Sequence, residues 1–337
     1  MPIYYTKFPC CQGTIYRYGR RRRQCANCQR TWSVWRRKRG CKPLAPKATL
    51  VVSYLTRNIP SLRVVACTRG CTPQAIAARL RQSLDHYLVT ARRTYLAELN
   101  QLAKRRIPLV AVVDALWHHF GQQAWTSYLV LLKPIDQARA LIVEPVVLPG
   151  HECLAGWQET LHCLPPPIIG LVEGVVCAGG GPLRQALAQY PWVVQRCHFH
   201  LLSQLQNYAT TGSRSADPAF ARYLMRQVQV VLRASSTSLL QQTLANLQGI
   251  YQRSTSRGIK RVVRGLFRDL PDLRAYLAYP ELNLPTTTNA AESTVQIVRD
   301  LLYRARGFRT PTAYSRWITA RLYLKQYVTC HGYFPQK

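Results

Sequence analysis

Three acidic residues stand out because their neighbours are apolar, and together they could bind divalent cations. Asp114 follows the run LVAVV and Glu173 follows the run IIGLV, and each run is typical of a strand that is buried on both faces. A lone carboxylate in such a strand is costly unless it is paired or bound to a cation. We expect Glu173 at the carboxyl end of its strand, where open α/β sheets bind ligands. Glu292 lies in TTTNAAEST, at the start of a predicted helix.

The chemistry that suits such a set is phosphoryl transfer. Two acids from strands and one from a helix can bind two divalent cations about 3.5–4 Å apart, which activate a water molecule or a DNA 3′-hydroxyl group. Mg²⁺ is the expected ion because it prefers oxygen ligands and retains several waters, and Mn²⁺ is the alternative. Structural explanations remain open: Asp114 could cap the turn after its strand, and Glu292 could stabilise the N-terminus of its helix.

The overall charge predicts a polyanionic partner. The chain has 337 residues, with 46 Lys or Arg against 14 Asp or Glu, so its formal net charge is +32. Fixed positive charges in this number typically neutralise phosphates and release counterions, and an enzyme of small acidic metabolites has no need of them. No segment approaches the roughly 18 apolar residues of a membrane-spanning helix, and the first residues lack the layout of a signal peptide. We therefore expect a cytoplasmic protein whose 12 Cys are thiols or metal ligands.

The first quarter of the chain is a separate basic module. Residues 1–84 contain 18 Lys or Arg and no acidic residue. Trp32 and Trp35 are interleaved with arginines, a combination that suits a nucleic-acid surface, although a charge run can also be a solvated face. The predicted DNA-contacting residues are Arg20, Arg21, Arg22, Arg23, Arg36, Arg37 and Arg39.

Helical patterns begin near Thr72. This residue, followed by Pro73, is a typical N-cap with Pro at the first helical position. A turn predicted near Gln82 and Ser83 then leads into a second helix that runs towards Tyr95. Two short helices with a tight connection predict a DNA-binding helix-turn-helix, although many helical hairpins share this pattern.

Beyond residue 104, strands alternate with helices. Three adjacent strands followed by this alternation predict an α/β fold with a mixed sheet that helices cover on its faces. Helical periods alone run from about 200 to 284. The predicted strands span 107–117, 124–132, 139–148, 167–176 and 191–197, and the predicted helices around them span 150–164, 179–190, 289–304 and 312–327.

The chain from about 107 to 330 resembles the Mutator-type bacterial insertion-sequence transposases. The likeness rests on the segments LVAVVDALW, LVEGVVCAGGGPLRQAL, YPWVVQRCHFHLLSQL and TTNAAESTVQIVRDLLYRARGF. In that family a ribonuclease H-like domain carries three catalytic acids, the DDE triad, and a helical insertion separates the second acid from the third. A zinc ribbon and a helix-turn-helix precede this domain.

The resemblance implies a DNA transposase that binds terminal inverted repeats, cleaves DNA and joins the freed ends to target DNA. Asp114, Glu173 and Glu292 would then be the catalytic residues and the ligands of two Mg²⁺ ions. The resemblance also implies a homodimer or larger assembly on DNA. It further implies a location in a bacterial cytoplasm, associated with the nucleoid. The expected domains are 1–45 (zinc-ribbon-like module), 46–104 (helix-turn-helix region), 105–199 (first part of the catalytic core), 200–284 (helical insertion) and 285–337 (C-terminal helices of the core).

Glu173 departs from the family pattern, which has Asp at the second acidic position. Glu is one methylene longer, and a displacement of about 1 Å can cost roughly 100-fold in rate. The main alternative is therefore a transposase-derived DNA-binding protein in which catalysis is impaired at Glu173. A ribonuclease H-like nuclease would cut without joining, and a zinc-ribbon transcription factor would leave the three acids unexplained.

Cysteines suggest a further metal site near the N-terminus. Cys25-x-x-Cys28 has the spacing of a zinc knuckle. By resemblance to the zinc ribbons of the family, Cys11 would take one place of the partner pair. Cys10 could supply the fourth thiolate, although adjacent ligands strain a tetrahedral site, and Cys41 is a rival for that place. Binding through three ligands, or lost zinc binding, is the alternative.

A second Cys-containing motif, Cys197-x-x-His200, recurs close to the catalytic core in the family. Two ligands are too few for a structural metal site, and a buried Cys usually behaves as a small apolar residue. We therefore expect Cys197 and His200 to support the catalytic acids and not to bind the metal themselves.

Overall fold

The computed structural model describes residues 15–17, 22–33, 47–56, 61–210, 218–305, 308 and 310–331. The chain divides into two compact units, residues 1–83 and 84–337. The division falls inside a long helix, Pro73–Arg105, whereas the predicted second domain ends at residue 104. None of the described helices combines the length and the apolar character needed to cross a membrane.

The first unit contains a small antiparallel sheet in which the middle strand pairs with both others. Cys10, Cys11, Cys41 and the predicted DNA-contacting residues Arg20, Arg21, Arg36, Arg37 and Arg39 lie outside the described residues, and Arg22 and Arg23 belong to the middle strand. The elements are β1 (Ile15–Arg17), β2 (Arg22–Cys25), β3 (Thr31–Ser33), α1 (Lys47–Thr56), α2 (Leu62–Arg69) and the start of α3 (Pro73–Arg105).

Helices α2 and α3 are joined by residues 70–72. Gly70 has a φ of +64°, the left-handed conformation that favours glycine after a helix. Thr72 Oγ1 accepts a hydrogen bond from the backbone N–H of Ala75 at 3.2 Å, so the predicted N-cap is confirmed. The turn predicted near Gln82 and Ser83 is wrong, because α3 continues through both residues and contains no Gly or Pro after its first position.

The second unit is built on a mixed sheet, as predicted, but the sheet has seven strands where five were predicted. Its strand order is β10-β6-β5-β4-β8-β9, with β7 paired to β5. Strand β5 pairs antiparallel with both β4 and β6, whereas β8 runs parallel to both β4 and β9. The elements are β4 (Leu109–Phe120), β5 (Gln123–Pro134), β6 (Arg139–Ile142), β7 (Val146–Pro149), α4 (Leu154–His162), α5 (Pro166–Ile169), β8 (Val172–Cys177), α6 (Gly181–Leu187) and β9 (Val193–Arg196).

The described part of 200–284 is helical, as the periodicity predicts. Its helices enclose an apolar core of their own that includes Leu205, Leu224, Val228 and Val263. The remaining elements are α7 (His198–Thr210), α8 (Pro218–Arg233), α9 (Thr237–Arg253), α10 (Arg257–Arg268), α11 (Leu270–Leu273), α12 (Ala275–Ala278), a 3₁₀ turn (Pro280–Leu282), α13 (Asn289–Arg304), α14 (Pro311–Lys325) and β10 (Tyr327–Thr329).

Two apolar cores cover the two faces of the sheet, and the alternation along β4 decides which side chains face which core. Val113 belongs to the core that includes residues of α3, α4 and α6. Val112 and Leu116 belong to the core that includes residues of α13 and α14. Because successive side chains of a strand point to opposite faces, Asp114 shares its face with Val112 and Leu116, the face that packs against α13.

A buried ion cluster joins the helical insertion to the sheet. The side chain of Asp269, between α10 and α11, is fully buried and forms ion pairs with Arg184 of α6, Arg196 of β9 and Arg268 of α10. Burial alone would raise the pKa of this carboxyl group, but the hydrogen bonds from Arg268 and Arg184 and the charge of Arg196 outweigh it and hold the pKa at about 2. Asp269 is therefore ionised at neutral pH and ties three elements together.

Replacement of Asp269 by Asn is expected to lower the free energy of unfolding by about 3–5 kcal/mol, because it leaves the buried guanidinium group of Arg196 without its countercharge. Urea unfolding, followed by circular dichroism, measures the change. Asp272→Asn is the matched control, since Asp272 is partly exposed and, among the described residues, pairs only with Arg184; its expected cost is below about 1 kcal/mol. Equal losses in the two variants would contradict the structural role assigned to Asp269.

Candidate phosphoryl-transfer site

Asp114 lies in the middle of the central strand β4 and is partly buried. Its Oδ1 atom accepts a hydrogen bond from the backbone N–H of Ala115 at 2.8 Å. Burial raises the pKa of Asp114, and the negative charges of Glu292 and Glu152 raise it further, while the Ala115 N–H and the charge of His200 act in the opposite direction. Burial and the two nearby carboxylates thus oppose the ionisation of Asp114, and a raised pKa of this kind is frequent among functional acids.

Glu292 reaches the site from the first turn of α13. Its backbone N–H donates to the carbonyl oxygen of Thr288 at 2.9 Å, so the residue is fixed at the helix start. The predicted helix start at 289 is confirmed. The strand acid and the helix acid that the sequence singles out are near enough for the charge of Glu292 to raise the pKa of Asp114.

Cys197 holds the start of α13 against the sheet. Its sulfur atom accepts hydrogen bonds from the backbone N–H of Thr288 at 3.2 Å and from Thr288 Oγ1 at 3.3 Å. Its backbone N–H donates to the carbonyl oxygen of Cys177, the last residue of β8, at 2.8 Å. Through Thr288, Cys197 fixes the turn from which Glu292 projects, and these contacts agree with the predicted supporting role.

His200 interacts with Cys197 and with both acids. The neighbouring Cys197 thiol raises the pKa of His200 despite its partial burial, and the charges of Asp114 and Glu292 add to the increase. Burial acts to raise the pKa of Cys197, but interactions with His200 and Thr288 lower it. The Nδ1 atom of His200 is buried and has no hydrogen-bond partner in the part of the chain that the structure describes. His200 therefore interacts with Cys197 and still has one ring nitrogen without a hydrogen-bond partner among the described residues.

Glu173 does not join this group, and the prediction that it ends its strand is wrong. It is exposed and is the second residue of β8, at the amino end. Leu109 pairs with Val172 and Val110 pairs with Gly174, so Glu173 is the extra residue of a bulge. Asp114 lies four residues beyond Val110 along β4, which places Glu173 about 13 Å away along the strand direction. This backbone separation is about three times the roughly 4 Å between two bridged ions, and it places Glu173 at the opposite end of β8 from the strand end nearest Asp114.

The physical reason for this displacement is the length of β8. Half of the apolar run before Glu173 forms the short helix α5, which ends at Ile169, and the strand begins only at Val172. The predicted strand from 167 is therefore wrong in its first half. A Pro-rich start favours the helical turn, because Pro is well suited to the first helical position.

The carboxyl end of β8 carries small residues where an acid was expected. Cys177 ends the strand, and Ala178, Gly179 and Gly180 follow it. Gly179 has a φ of +89°, and a side chain there would collide with the guanidinium group of Arg196. Glycine is therefore required at Gly179, and β8 itself brings no carboxylate to the end of the sheet at which Asp114 and Cys197 lie.

Glu152 is the acid that sequence inspection missed. It lies in the loop between β7 and α4, and its Oε1 atom accepts a hydrogen bond from Trp157 Nε1 at 2.7 Å. The same Oε1 atom lies 3.6 Å from the point where a Cβ atom of Gly180 would be. The charge of Glu152 is also among the groups that raise the pKa of Asp114. A carboxylate from a loop thus lies beside the end of β8 that lacks one.

The donor set fits a magnesium ion in its chemistry but does not form a closed cage. Among the described residues, no group of three or more His, Cys, Asp or Glu side chains is arranged to hold a metal ion. Mg²⁺ commonly binds through one or two carboxylates together with substrate phosphates and waters, so a closed protein cage is not required. Asp114, Glu292 and Glu152 supply oxygen atoms only, which is the ligand type that this ion prefers.

The candidate zinc ligands are described only in part. Cys25 is buried at the end of β2 and Cys28 is exposed in the turn that follows. The backbone N–H of Cys25 donates to the carbonyl oxygen of Arg30 at 3.1 Å, and that of Gln29 donates to the carbonyl oxygen of Cys25 at 3.0 Å. The Cys-x-x-Cys pair therefore flanks a tight turn between two strands.

Comparison with known proteins gives no family assignment. No protein-family model matches the chain, and no curated protein matches it. Among solved structures, the chain is similar to the "Mos1 transposase paired-end complex with left transposon end", with 14% sequence identity, a TM-score of 0.20 and coverage of 74% of this chain and 82% of that chain. A TM-score this low does not establish a common fold, so the side chains described above carry the functional assignment.

Proposed function

We propose that this protein is a DNA transposase of the DDE type, which cleaves DNA at the ends of a mobile element and joins them to target DNA. The observation that carries the proposal is the partly buried carboxyl group of Asp114 on the central strand, whose pKa the charges of Glu292 and Glu152 both raise. The mixed α/β sheet with a helical insertion before α13 is consistent with the ribonuclease H-like fold that the sequence resemblance implies.

In this proposal Asp114 and Glu292 are the first and last catalytic acids, and Glu152 replaces Glu173 as the second. Bound Mg²⁺ ions, or Mn²⁺ in their place, would activate the attacking hydroxyl group and stabilise the in-line transition state. Asp114 and Glu292 would hold these ions and so orient the reacting phosphate. Cys197 and Thr288 fix the start of α13, so that Glu292 stays at its distance from the strand.

The first unit would recognise the inverted repeats. Residues 1–83 hold no acid at all, so this unit can approach DNA without charge repulsion. The tight turn between Cys25 and Cys28 supports a zinc site whose other predicted ligands are Cys10 and Cys11. Helices α2 and α3, joined by a three-residue turn with Gly70, have the layout of a DNA-binding helix pair. A homodimer or larger assembly on paired DNA ends belongs to the same proposal.

Strand β8 carries no acid at its carboxyl end. This favours a second candidate function, a transposase-derived protein that binds DNA without cleaving it. Ala178 and two glycines occupy the end of the strand where a catalytic acid would be expected. In this second candidate, Asp114 and Glu292 would lack the third acid needed for catalysis. Glu152 would then serve only to hold Trp157 through their hydrogen bond.

A cleavage assay separates the two candidates. The purified chain is incubated with a plasmid that carries its gene and the flanking DNA, in Mg²⁺ or Mn²⁺, and nicked, cut and joined products are separated on a gel. We expect cuts at the element ends together with joined products. Folded protein that binds the plasmid without any cut would establish the second candidate, and cuts without joining would instead indicate a nuclease.

A further inference from the structure

A strongly basic groove lies between helix α10 of the helical insertion and its neighbours α7 and β9. Its volume is about 600 Å³, and one of its walls is helix α10. Besides Gln204 of α7, six cationic residues line it: Arg196, Arg257, Lys260, Arg261, Arg264 and Arg268. We call this surface the α10 groove.

Helix α10 has two sharply different sides. Its apolar residues, Ile259, Val262, Val263 and Leu266, are buried in the core of the insertion. Its cations recur every three or four residues, which places them along one side of the helix. The row of exposed arginines runs from Arg257 to Arg268, and at 1.5 Å per residue it is about 16 Å long.

Most of this charge is not neutralised within the protein. Arg268 and Arg196 form ion pairs with Asp269. Within the described part of the chain, Arg257, Lys260 and Arg261 form no ion pair.

Arg264 contacts an aromatic residue instead of an acid. Its guanidinium group donates to Tyr251 Oη at 2.9 Å, and Lys260 Nζ lies 5.7 Å from the centre of the same ring. Unpaired cations beside an aromatic ring are typical of a nucleic-acid surface.

We propose that the α10 groove binds the phosphate backbone of duplex DNA, as a second contact surface besides the first unit. A row of about 16 Å matches roughly five base pairs, since a duplex rises about 3.4 Å for each pair. Arginine and lysine side chains on phosphates position a duplex without reading its sequence. The α10 groove therefore contributes affinity that does not depend on sequence, which suits target DNA.

A membrane surface is a poorer partner for this groove. Helices that lie on bilayers insert large apolar side chains beside their cations. The large apolar residues of α10 are instead buried in the insertion, and none of the exposed large apolar side chains of the described chain belongs to this helix. Charge alone is left on the outer side, and duplex DNA offers the denser row of phosphates.

The test compares two triple variants of the full chain that remove equal charge. Arg257→Gln, Arg261→Gln and Arg264→Gln act inside the α10 groove, whereas the control changes exposed arginines on α3 and α8, namely Arg93→Gln, Arg222→Gln and Arg226→Gln. Binding to a random-sequence duplex of about 30 base pairs is measured by fluorescence anisotropy over a range of salt concentrations. Thermal unfolding shows that both variants are folded.

We expect the groove variant to bind DNA at least about 10-fold more weakly than the wild type near physiological salt. The slope of log affinity against log salt concentration should become less steep by about 2 to 3. The control is expected to change affinity by less than about 3-fold. Equal losses in both variants would overturn the proposal. So would a groove variant that keeps its DNA affinity but loses binding to vesicles rich in phosphatidylserine.

A second measurement reports contact directly, even where the first unit dominates affinity. A photo-crosslinking amino acid is placed at Arg261 or, as the control, at Arg222. Crosslinking to duplex DNA from position 261 and not from 222 is expected, and the reverse would overturn the proposal. This inference rests on the proposed function only in taking DNA as the partner. Protein that crosslinks to DNA at position 261 but never cleaves it would contradict the proposed transposase activity and would still support DNA binding by the α10 groove.

Discussion

Replacement of Asp114 by Asn is expected to reduce cleavage and joining at the element ends by at least about 1,000-fold. Loss of a carboxylate that holds a catalytic cation removes several kcal/mol of transition-state stabilisation, and each 1.36 kcal/mol is a factor of ten in rate. Single-turnover cleavage of the plasmid substrate measures the effect. DNA affinity is expected to stay within about 2-fold, because Asp114 is partly buried and Asn has nearly the same shape.

The stability of this variant gives the prediction a second readout. Burial and the nearby carboxylates raise the pKa of Asp114, so the folded chain binds the proton more tightly than the unfolded chain does. The stability linked to that proton is present at low pH and is lost as the pH rises through the folded pKa. Ionisation of Asp114 therefore opposes folding, and at a pH where Asp114 is ionised the Asn variant should unfold at an equal or higher urea concentration. A residue that costs stability is better explained by function than by packing.

Asp300→Asn is the matched control for Asp114→Asn. Asp300 is exposed on α13, the helix that carries Glu292, and it accepts a hydrogen bond from Gln296 at 2.8 Å. Its replacement should leave cleavage within about 2-fold. If Asp114→Asn cleaved as fast as the wild type, or lost activity only in step with a loss of folded protein, the catalytic assignment of the central strand would be wrong.

The central strands and long helices could be predicted because burial imposes a regular pattern on their sequences. The runs around Asp114 are apolar on both faces of β4, and α13 begins at the residue that the pattern indicates. Short elements were harder. The predicted strand 139–148 is two strands, β6 and β7, separated by Val143, Glu144 and Pro145, because Pro has no N–H to donate to a neighbouring strand. Strand β10 was missed because three residues are too few to show an alternating pattern.

The candidate site was half predictable for a similar reason. Asp114 and Glu292 belong to long periodic elements, so their surroundings could be inferred from their neighbours. Glu173 follows an apolar run of the right composition, but the run is shared between α5 and the start of β8, and composition does not mark where a strand begins. Glu152 lies in a loop after Gly150, where no period exists. Glu152 can be recognised only because it lies near Asp114 and Gly180, and this proximity depends on the tertiary structure.

Replacement of Glu152 by Gln is expected to slow cleavage by about 100-fold, whereas replacement of Glu173 by Gln is expected to leave it within about 2-fold. The two changes are chemically identical and both residues are exposed, so the pair forms its own matched control. Gln keeps an oxygen that can accept the hydrogen bond from Trp157 Nε1, and the loop should therefore hold its position. What is lost is the negative charge near Asp114, and with it a ligand for a divalent cation. The measurement is the single-turnover rate at saturating DNA over a range of Mg²⁺ concentrations.

The metal dependence decides whether Glu152 acts as a ligand or merely as a structural residue. A lost ligand should shift the activating Mg²⁺ concentration upward by about 10-fold or more, which a change confined to loop packing would not do. Ala178→Asp supplies the opposite test, because it adds a carboxylate just past the end of β8. If Glu152→Gln were as active as the wild type and Ala178→Asp raised cleavage, the missing acid would belong on β8. The wild-type chain would then be a DNA-binding protein with an incomplete catalytic site, and Glu152 would have no part in the reaction.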